Sequence, residues 1–329
     1  MGYGSWARTA YLPALRRDGR ASVVWVGARS EATRQLARTE LGADITLLRG
    51  LEDLPTAPAV DAILIAVPDS LHELSLSMAL EGSAAILYEA PLSDQRARIL
   101  PILRRLLATD RVTFADLELG FIPAVVRAAE VVKSGDLGDL QTATISLESD
   151  WGSDAAYDLC HIHALAPWYV DPLNLVLGAT PQRVLVLDGH GAAGRRQNRT
   201  IGHFEYGATW GTLDVKCASL GKLNVVVEVN GNQGDVVADL LTGEVRWRTR
   251  RHPAWIQEQR PALTPCASWP GMHECVAAFL DAVERGHATV NGAMTLARLH
   301  MVGLAAEESK DTGTWADVHE VPQWGSHPV

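Results

Sequence analysis

Val60-Asp61-Ala62-Ile63-Leu64-Ile65-Ala66-Val67 is a nearly unbroken apolar run that stops at Pro68. It is too short for a buried helix, and a proline closes it, so it reads as a strand covered on both faces. Ser70 to Leu80 (SLHELSLSMAL) follows with helical spacing, and Ala84 to Tyr88 (AAILY) is a second buried strand. Leu100 to Leu107 is helical and Val112 to Ala115 is extended. Upstream, Ala21 to Val26 (ASVVWV) reads as a strand and Glu31 to Leu41 (EATRQLARTEL) as a helix. Short apolar strands alternating with helices predict an α/β domain, a Rossmann-type parallel sheet with helices on both faces, over residues 1–116.

The pattern changes beyond residue 116. A helix over Pro123 to Ser134 runs into the turn Gly135-Asp136-Leu137-Gly138. Long alternating β-branched stretches follow at Gln141 to Ser149, Arg183 to Asp188, His203 to Ser219 and Leu223 to Arg250. A helical segment lies near Trp168 to Leu177, and the last helices are Met272 to Arg285 and Ala293 to Lys310. This predicts an α+β domain over 117–329 with a large, mostly antiparallel open sheet carrying helices on one face. The uncovered face of such a sheet calls for a partner, so a homo-dimer or tetramer formed through it is expected.

The 329 residues are 47% hydrophobic and 21% charged, enough for sizeable cores and unlike a disordered chain. The formal charge of −10 and the lack of a basic stripe argue against nucleic acid as a partner. Apolar runs break well short of the ~20 residues a membrane span needs, so no membrane partner is expected. Met1 to Ala10 has no apolar core of a signal peptide. Cys160, Cys217, Cys266 and Cys275 include no C-x-x-C pair and read as reduced thiols of a cytoplasmic protein.

Gly2-Tyr3-Gly4-Ser5-Trp6-Ala7 has the form G-x-G-x-x-A. In a dinucleotide site the first glycine makes the tight turn and the second lets the backbone approach a pyrophosphate. The third small residue lets helix pack on strand. The helix through Tyr11 to Arg16 and the strand at Ala21 to Val26 suit that reading. The motif should follow a strand, yet the first strand of the sheet is missing from this sequence. Either it lies upstream of Met1 or the domain tolerates its loss. Where a ribose-binding carboxylate is usual, the chain reads Gly27-Ala28-Arg29-Ser30. Arg29 and Ser30 could instead hold a 2′-phosphate, Arg29 by a bidentate contact. NADP is therefore the expected cofactor, with NAD or no dinucleotide as alternatives.

Several ordered segments resemble the Gfo/Idh/MocA oxidoreductase family. Val60 to His72 resembles its VDAV-IATPN-x-x-H segment, and Ala79-Leu80-Glu81-Gly82 with Glu89-Ala90-Pro91-Leu92 resembles ALEAG…EKPL. Pro123 with Ser134 to Gly138, Asp171 to Gly178, and Glu274 to Asn291 resemble later family segments in the same order. The resemblance implies a Rossmann-type domain, a second sheet domain that commonly mediates oligomers, and hydride transfer with a nicotinamide cofactor. It also places Pro68, His72 and Glu89 beside the cofactor, His72 and Glu89 being alternatively structural groups. Two positions depart from the family. Its EKP lysine is Ala90 here, and its D-x-G-x-H-x-x-D segment reads Ala164, Ala166, Trp168 and Asp171, so only the last acid remains. General acid–base help is typically worth ~10²–10⁴-fold, and neither alanine nor tryptophan supplies it at neutral pH.

Replacement groups lie just upstream in Tyr157-Asp158-Leu159-Cys160-His161-Ile162-His163. His161 would be the acid/base, oriented by Asp158, with Asp171 as the retained family acid; the alternative is that they cap a helix. Pro167 interrupts a helix there or starts a new one. His161 and His163 are spaced i, i+2, which points them apart on a helix and disfavours a metal. Trp151, Trp168 and Trp210 are either an aromatic pocket or packing. Three functions remain open. One is an NADP-dependent oxidoreductase acting on a small carbonyl, imine or secondary alcohol. The second is a lyase, cyclase or isomerase on the same fold. The third is a non-catalytic subunit paired with a homologue.

Overall fold

The computed structural model describes residues 1–150, 162–190, 197–217, 223–261 and 269–324. Trp151, Asp158, Cys160, His161 and Cys266, singled out above, lie outside them. From the amino end, a π-helical turn at Ala7–Tyr11 leads into α1 (Leu12–Asp18), then β1 (Trp25–Gly27), α2 (Glu31–Leu41), β2 (Thr46–Leu48), β3 (Ala62–Ile65), α3 (His72–Ala79), β4 (Ala85–Glu89), α4 (Arg96–Ala108) and β5 (Thr113–Asp116). All pairings among these strands are parallel. The sheet is nevertheless split, with β1–β2 as one ribbon and β3–β4–β5 as another. That is the order of a doubly wound domain with its central strand left out. The π turn has a local cause. Pro13 near the start of α1 has no N–H to give to the preceding turn, and its ring crowds the carbonyl four residues back.

Downstream come α5 (Pro123–Lys133), β6 (Leu140–Glu148), α6 (Ile162–Leu177), β7 (Arg183–His190), β8 (Gln197–Tyr206), β9 (Thr209–Lys216), β10 (Asn224–Gly231), β11 (Gly234–Asp239), β12 (Glu244–Thr249), β13 (Ile256–Gln259), α7 (Met272–Arg285), α8 (Ala293–Thr312) and β14 (Ala316–Asp317). Among the described residues, nine strands form one sheet in the order β13-β12-β11-β10-β6-β9-β8-β7-β14. The pairings are antiparallel except β6 with β9. Tyr206 faces Thr209 across a two-residue hairpin turn, where Gly207 takes φ +63°, a left-handed conformation that suits the strand twist. α6 begins earlier than the sequence suggests and runs on through Pro167 and Pro172. Buried apolar neighbours along Ile162 to Val176 hold it together despite the lost backbone donors.

The chain divides into two compact units. One holds Met1–Leu117 with Thr264–Ala297 and Pro322–Val329, and the other holds Glu118–Leu263 with Arg298–Val321, so the division passes within α8. In the first unit β4 is buried along its whole length, apolar but for Glu89 at its end and the Tyr88 hydroxyl. α7 packs on α1, and Phe279 of α7 meets Phe114 of β5 with ring centroids 5.8 Å apart. In the second unit β6, β9 and β10 alternate buried with part-exposed residues, as a sheet with one packed face requires. Phe204, Leu213 and Val227 are fully buried on it.

Candidate functional site

In the first unit the parallel strands direct the loops after β1, β3, β4 and β5 to one edge. In open parallel sheets that carboxyl edge is where ligands bind. Met1 and Gly2 join the two ribbons there. The Met1 amino group donates to Leu64 O (2.6 Å), Ala66 N–H donates to Met1 O (2.8 Å), and Gly2 N–H donates to Gly27 O (2.9 Å).

Gly2 has φ +87°, and a Cβ on it would lie 2.0 Å from the Ala66 carbonyl oxygen, so no other residue fits. Around Gly4 an added Cβ would meet nothing within 4 Å, which leaves its backbone open to a ligand. The chain turns helical directly after it, and Arg8 N–H donates to Gly4 O (3.2 Å). A tight glycine turn leading into a helix N-terminus aims backbone N–H groups outward and favours an anion. The Trp6 indole N–H is shielded there and has no acceptor among the described residues. Ala7 opens the π turn.

Ala28 is buried at the end of β1, while Arg29 and Ser30 are exposed. Ser30 caps α2, its Oγ accepting from Thr33 N–H (3.0 Å). Arg34, which the sequence reading passed over, donates to the carbonyls of Ala28 (2.7 Å) and Arg29 (2.8 Å) and fixes this loop. Pro68 caps the short 3₁₀ turn Asp69–Leu71. The buried His72 ring is clamped between two carbonyls, Pro91 O at Nδ1 (2.6 Å) and Val67 O at Nε2 (2.9 Å), tying the loop after β3 to the loop after β4.

Glu89 ends β4 opposite Asp116 of β5. Both are buried, and the Tyr11 hydroxyl bridges them, bonded to Glu89 Oε1 and to Asp116 Oδ2 (2.6 Å). Burial, and then the two acids, push the Tyr11 phenol well above its ordinary range. A phenol has one proton to give, so holding both contacts calls for a proton on one carboxyl. Cys275 Sγ also donates to Asp116 (3.4 Å). Ala90, at the position of the lysine in the resembled motif, is fully buried.

The second unit holds Asp171 on α6. Burial pushes its carboxyl up to about 7. Its Oδ2 stands 2.8 Å from where a Cβ on Gly120 would be, so glycine makes room for it. Tyr206 donates to Asn174 (2.8 Å) one turn further along α6, and its own phenol is raised by burial and then by Asp171. Trp168 is part-buried on α6, whereas Trp210 lies on β9, largely exposed against Trp315. Another polar cluster was missed by the sequence reading. His163 Nδ1 meets Glu307 Oε1 at 3.0 Å, Lys310 pairs with the same acid at 2.6 Å, and burial drives the nearby His300 down to about 3. The partners lie on α6 and α8, far apart in sequence, so no local motif announced them. No metal-binding group of histidine, cysteine and acid side chains occurs among the described residues.

Residues 1–112 match the family described as an oxidoreductase family with an NAD-binding Rossmann fold, GFO_IDH_MocA. The inositol 2-dehydrogenase of Corynebacterium glutamicum (strain R) is 33% identical over 114 residues, 33% of each chain. The dTDP-3,4-didehydro-2,6-dideoxy-alpha-D-glucose 3-reductase of Saccharopolyspora spinosa is 30% identical over 149 residues, 44% of this chain and 43% of that one. The chain thus aligns with less than half the length of these curated relatives. The solved structure of levoglucosan dehydrogenase, in complex with NADH and levoglucosan, superposes with a TM-score of 0.81 at 13% identity, covering 97% of this chain and 98% of that one. That likeness extends the common fold to both units. Residues 1–112 are thus similar to the Gfo/Idh/MocA oxidoreductase family, and the likeness of the rest of the chain is one of fold.

Proposed function

We propose that the protein is a nicotinamide-dependent oxidoreductase acting on a small carbonyl or secondary alcohol of the sugar or polyol class. The observation that carries this reading is the Gly2 turn, locked by its fit against Ala66 O and opening at Gly4 straight into a helix N-terminus. The Gly2–Ala7 turn would take the pyrophosphate, and Arg29 with Ser30 the adenosine end. When bound, a nicotinamide supplies the hydride acceptor or donor. The relatives' names, an inositol dehydrogenase and a dTDP-sugar reductase, motivate the substrate class. An exposed arginine without a neighbouring ribose-binding acid in Ala28-Arg29-Ser30 favours NADP over NAD.

The chain's own residues set the limits of the chemistry. Ala90 can neither polarise nor deprotonate a substrate oxygen, and Trp168 cannot exchange a proton at neutral pH. Asp171, raised towards neutrality, is the described acid suited to proton transfer near pH 7. Ala90 also favours a second reading, in which the protein keeps the nucleotide but pairs with a competent homologue; self-association through the nine-stranded sheet belongs to the first reading.

The test is a titration with NADPH and NADH, followed by nucleotide fluorescence and by calorimetric heat. NADPH should bind, and Arg29→Ala should weaken NADPH by about tenfold or more with little effect on NADH. A folded protein that binds neither nucleotide overturns the reading. Nucleotide binding without turnover on a panel of polyols and keto-sugars favours the paired-subunit reading.

A further inference from the structure

Val245 and Trp247 of β12 face the helices, where the guanidinium of Arg127 on α5 stands 4.9 Å from the Trp247 ring centroid. Strand alternation therefore turns Arg246 and Arg248 to the opposite, open face of the nine-stranded sheet. The turn that follows carries Arg250, Arg251 and His252, so four arginines fall within six positions. All five residues are exposed, and Trp255 beside them is 41% exposed. We propose that this corner of the second unit docks an acidic segment of a partner protein, its carboxylates on the arginines and an apolar side chain on Trp255.

The arginines exceed what the neighbouring acids can balance. Arg248 pairs with Asp235 at 2.7 Å, and Glu258 of β13 is taken by Arg127 and Arg260. Arg246, Arg250 and Arg251 make no ion pair among the described residues. Three unpaired guanidiniums close together, in a chain of formal charge −10, set up a local field opposite in sign to that of the whole molecule. Such a field steers an acidic partner to this corner.

The corner is also held in shape before anything binds. Thr249 and His252 exchange both backbone hydrogen bonds at 3.0 Å, which closes a two-residue turn on Arg250 and Arg251. Arg250 N–H donates to Gln233 O (2.6 Å) and pins that turn to the hairpin between β10 and β11. The guanidinium carbons of Arg246 and Arg248 lie 5.2 and 4.7 Å from the Trp255 ring centroid. Stacking restrains both side chains and leaves the Arg246 fork open to a carboxylate in bidentate contact. Little side-chain freedom is then lost on binding.

Arginine and tryptophan are residue types that concentrate binding energy at protein interfaces. An extended phosphate backbone would run past the corner onto surface whose net charge repels it, whereas a short acidic segment ends within it. A second copy is disfavoured, because a two-fold contact centred here sets arginine against arginine. None of this rests on the nicotinamide reading.

The test follows the anisotropy of a fluorescein-labelled peptide, Glu-Asp-Glu-Phe-Glu-Asp-Glu, as the full chain is added. The amide counterpart Gln-Asn-Gln-Phe-Gln-Asn-Gln and a thymidylate oligonucleotide of equal length are titrated beside it. The acidic peptide should bind about tenfold or more tighter than either. Arg250→Ala combined with Arg251→Ala, or Trp255→Ala alone, should weaken it by about tenfold or more, with the thermal midpoint within about 2 °C of the parent. Arg17→Ala, at an exposed arginine of α1, should leave it unchanged. No preference for the acidic peptide overturns the proposal, as does an equal loss with Arg17→Ala. Tighter binding of the oligonucleotide overturns it by making the corner a nucleic-acid site. A changed oligomeric state of Trp255→Ala in sedimentation overturns it by assigning the corner to a contact between copies.

Discussion

The two sheets of this protein are built on opposite plans. The nine-stranded sheet is held by ladders along its full width, with β6 flanked by β10 and β9 over nearly its whole length. The parallel sheet is made of strands as short as Trp25–Gly27, and its ribbons meet through Met1 and Gly2 at one end. The groups suited to a nucleotide cluster on this second, less continuous scaffold. Binding loops come from the weakly held parts of a fold because they must present unpaired backbone to a ligand. The nine-stranded sheet instead has the regular surface suited to packing.

The largest effects should test whether this contrast is energetic. Phe114→Ala in the first unit and Phe204→Ala in the second each remove a fully buried ring. Each should cost about 3–5 kcal/mol. In a calorimetric scan, Phe114→Ala should lower an early transition and Phe204→Ala a later one. A single transition lowered equally by both would show one cooperative body and break the comparison.

The next effect is confined to the crest. Gly2→Ala forces a Cβ into the Ala66 carbonyl at a left-handed φ and should cost several kcal/mol, on the order of 2–4, with nucleotide binding lost. Gly4→Ala meets nothing within 4 Å of its new Cβ. It should leave the midpoint within about 2 °C of the parent while weakening NADPH by about tenfold or more. Equal loss of stability in both variants would mean that the second glycine is structural and not an opening for a ligand.

These expectations also show which features can be read from a sequence and which cannot. The strand Ala84 to Tyr88 was legible because a strand buried on both faces has no choice but to be apolar throughout. Thr46–Leu48 went unseen because it is short and its first residue is exposed, which leaves no pattern. Ala21 to Val26 looked like a full strand, yet only Trp25–Gly27 pairs, since an apolar run reports burial and not the presence of a neighbour. At the site, Gly2 and Gly4 were legible through their spacing. The bridge from Tyr11 to Glu89 and Asp116 was not, because its members are 78 and 105 residues apart and only the fold joins them. His163 and Glu307 escaped for the same reason.

Asp171 gives a smaller effect with a definite sign. Its folded carboxyl titrates at about 7, above the ordinary 3.8, so the folded chain holds the proton more tightly than the unfolded chain. The contribution of this group to stability is therefore fully present below about pH 4 and is lost as the pH rises through 7. Asp171→Asn cannot ionise and escapes that loss. Because part of the residue still meets solvent, the variant should gain about 1–2 kcal/mol over the parent between pH 4 and 8, read by urea unfolding at each pH. A constant difference across that range would mean that the buried position does not hold its proton.

The smallest effect separates two roles of one side chain. Ser30 caps α2 through Thr33 N–H and stands beside Arg29 where a 2′-phosphate would be held. Ser30→Ala removes the cap and should cost about 1 kcal/mol. Ser30→Asp keeps an acceptor for Thr33 N–H and adds a charge favourable at a helix N-terminus, so stability should return to that of the parent. The same carboxylate would repel a 2′-phosphate but accept from ribose hydroxyls, so NADPH should weaken while NADH holds or tightens. Recovery of stability together with a swing in the NADPH to NADH ratio would assign the loop both jobs. Recovery with an unchanged ratio would leave Ser30 a cap alone and place cofactor choice on Arg29.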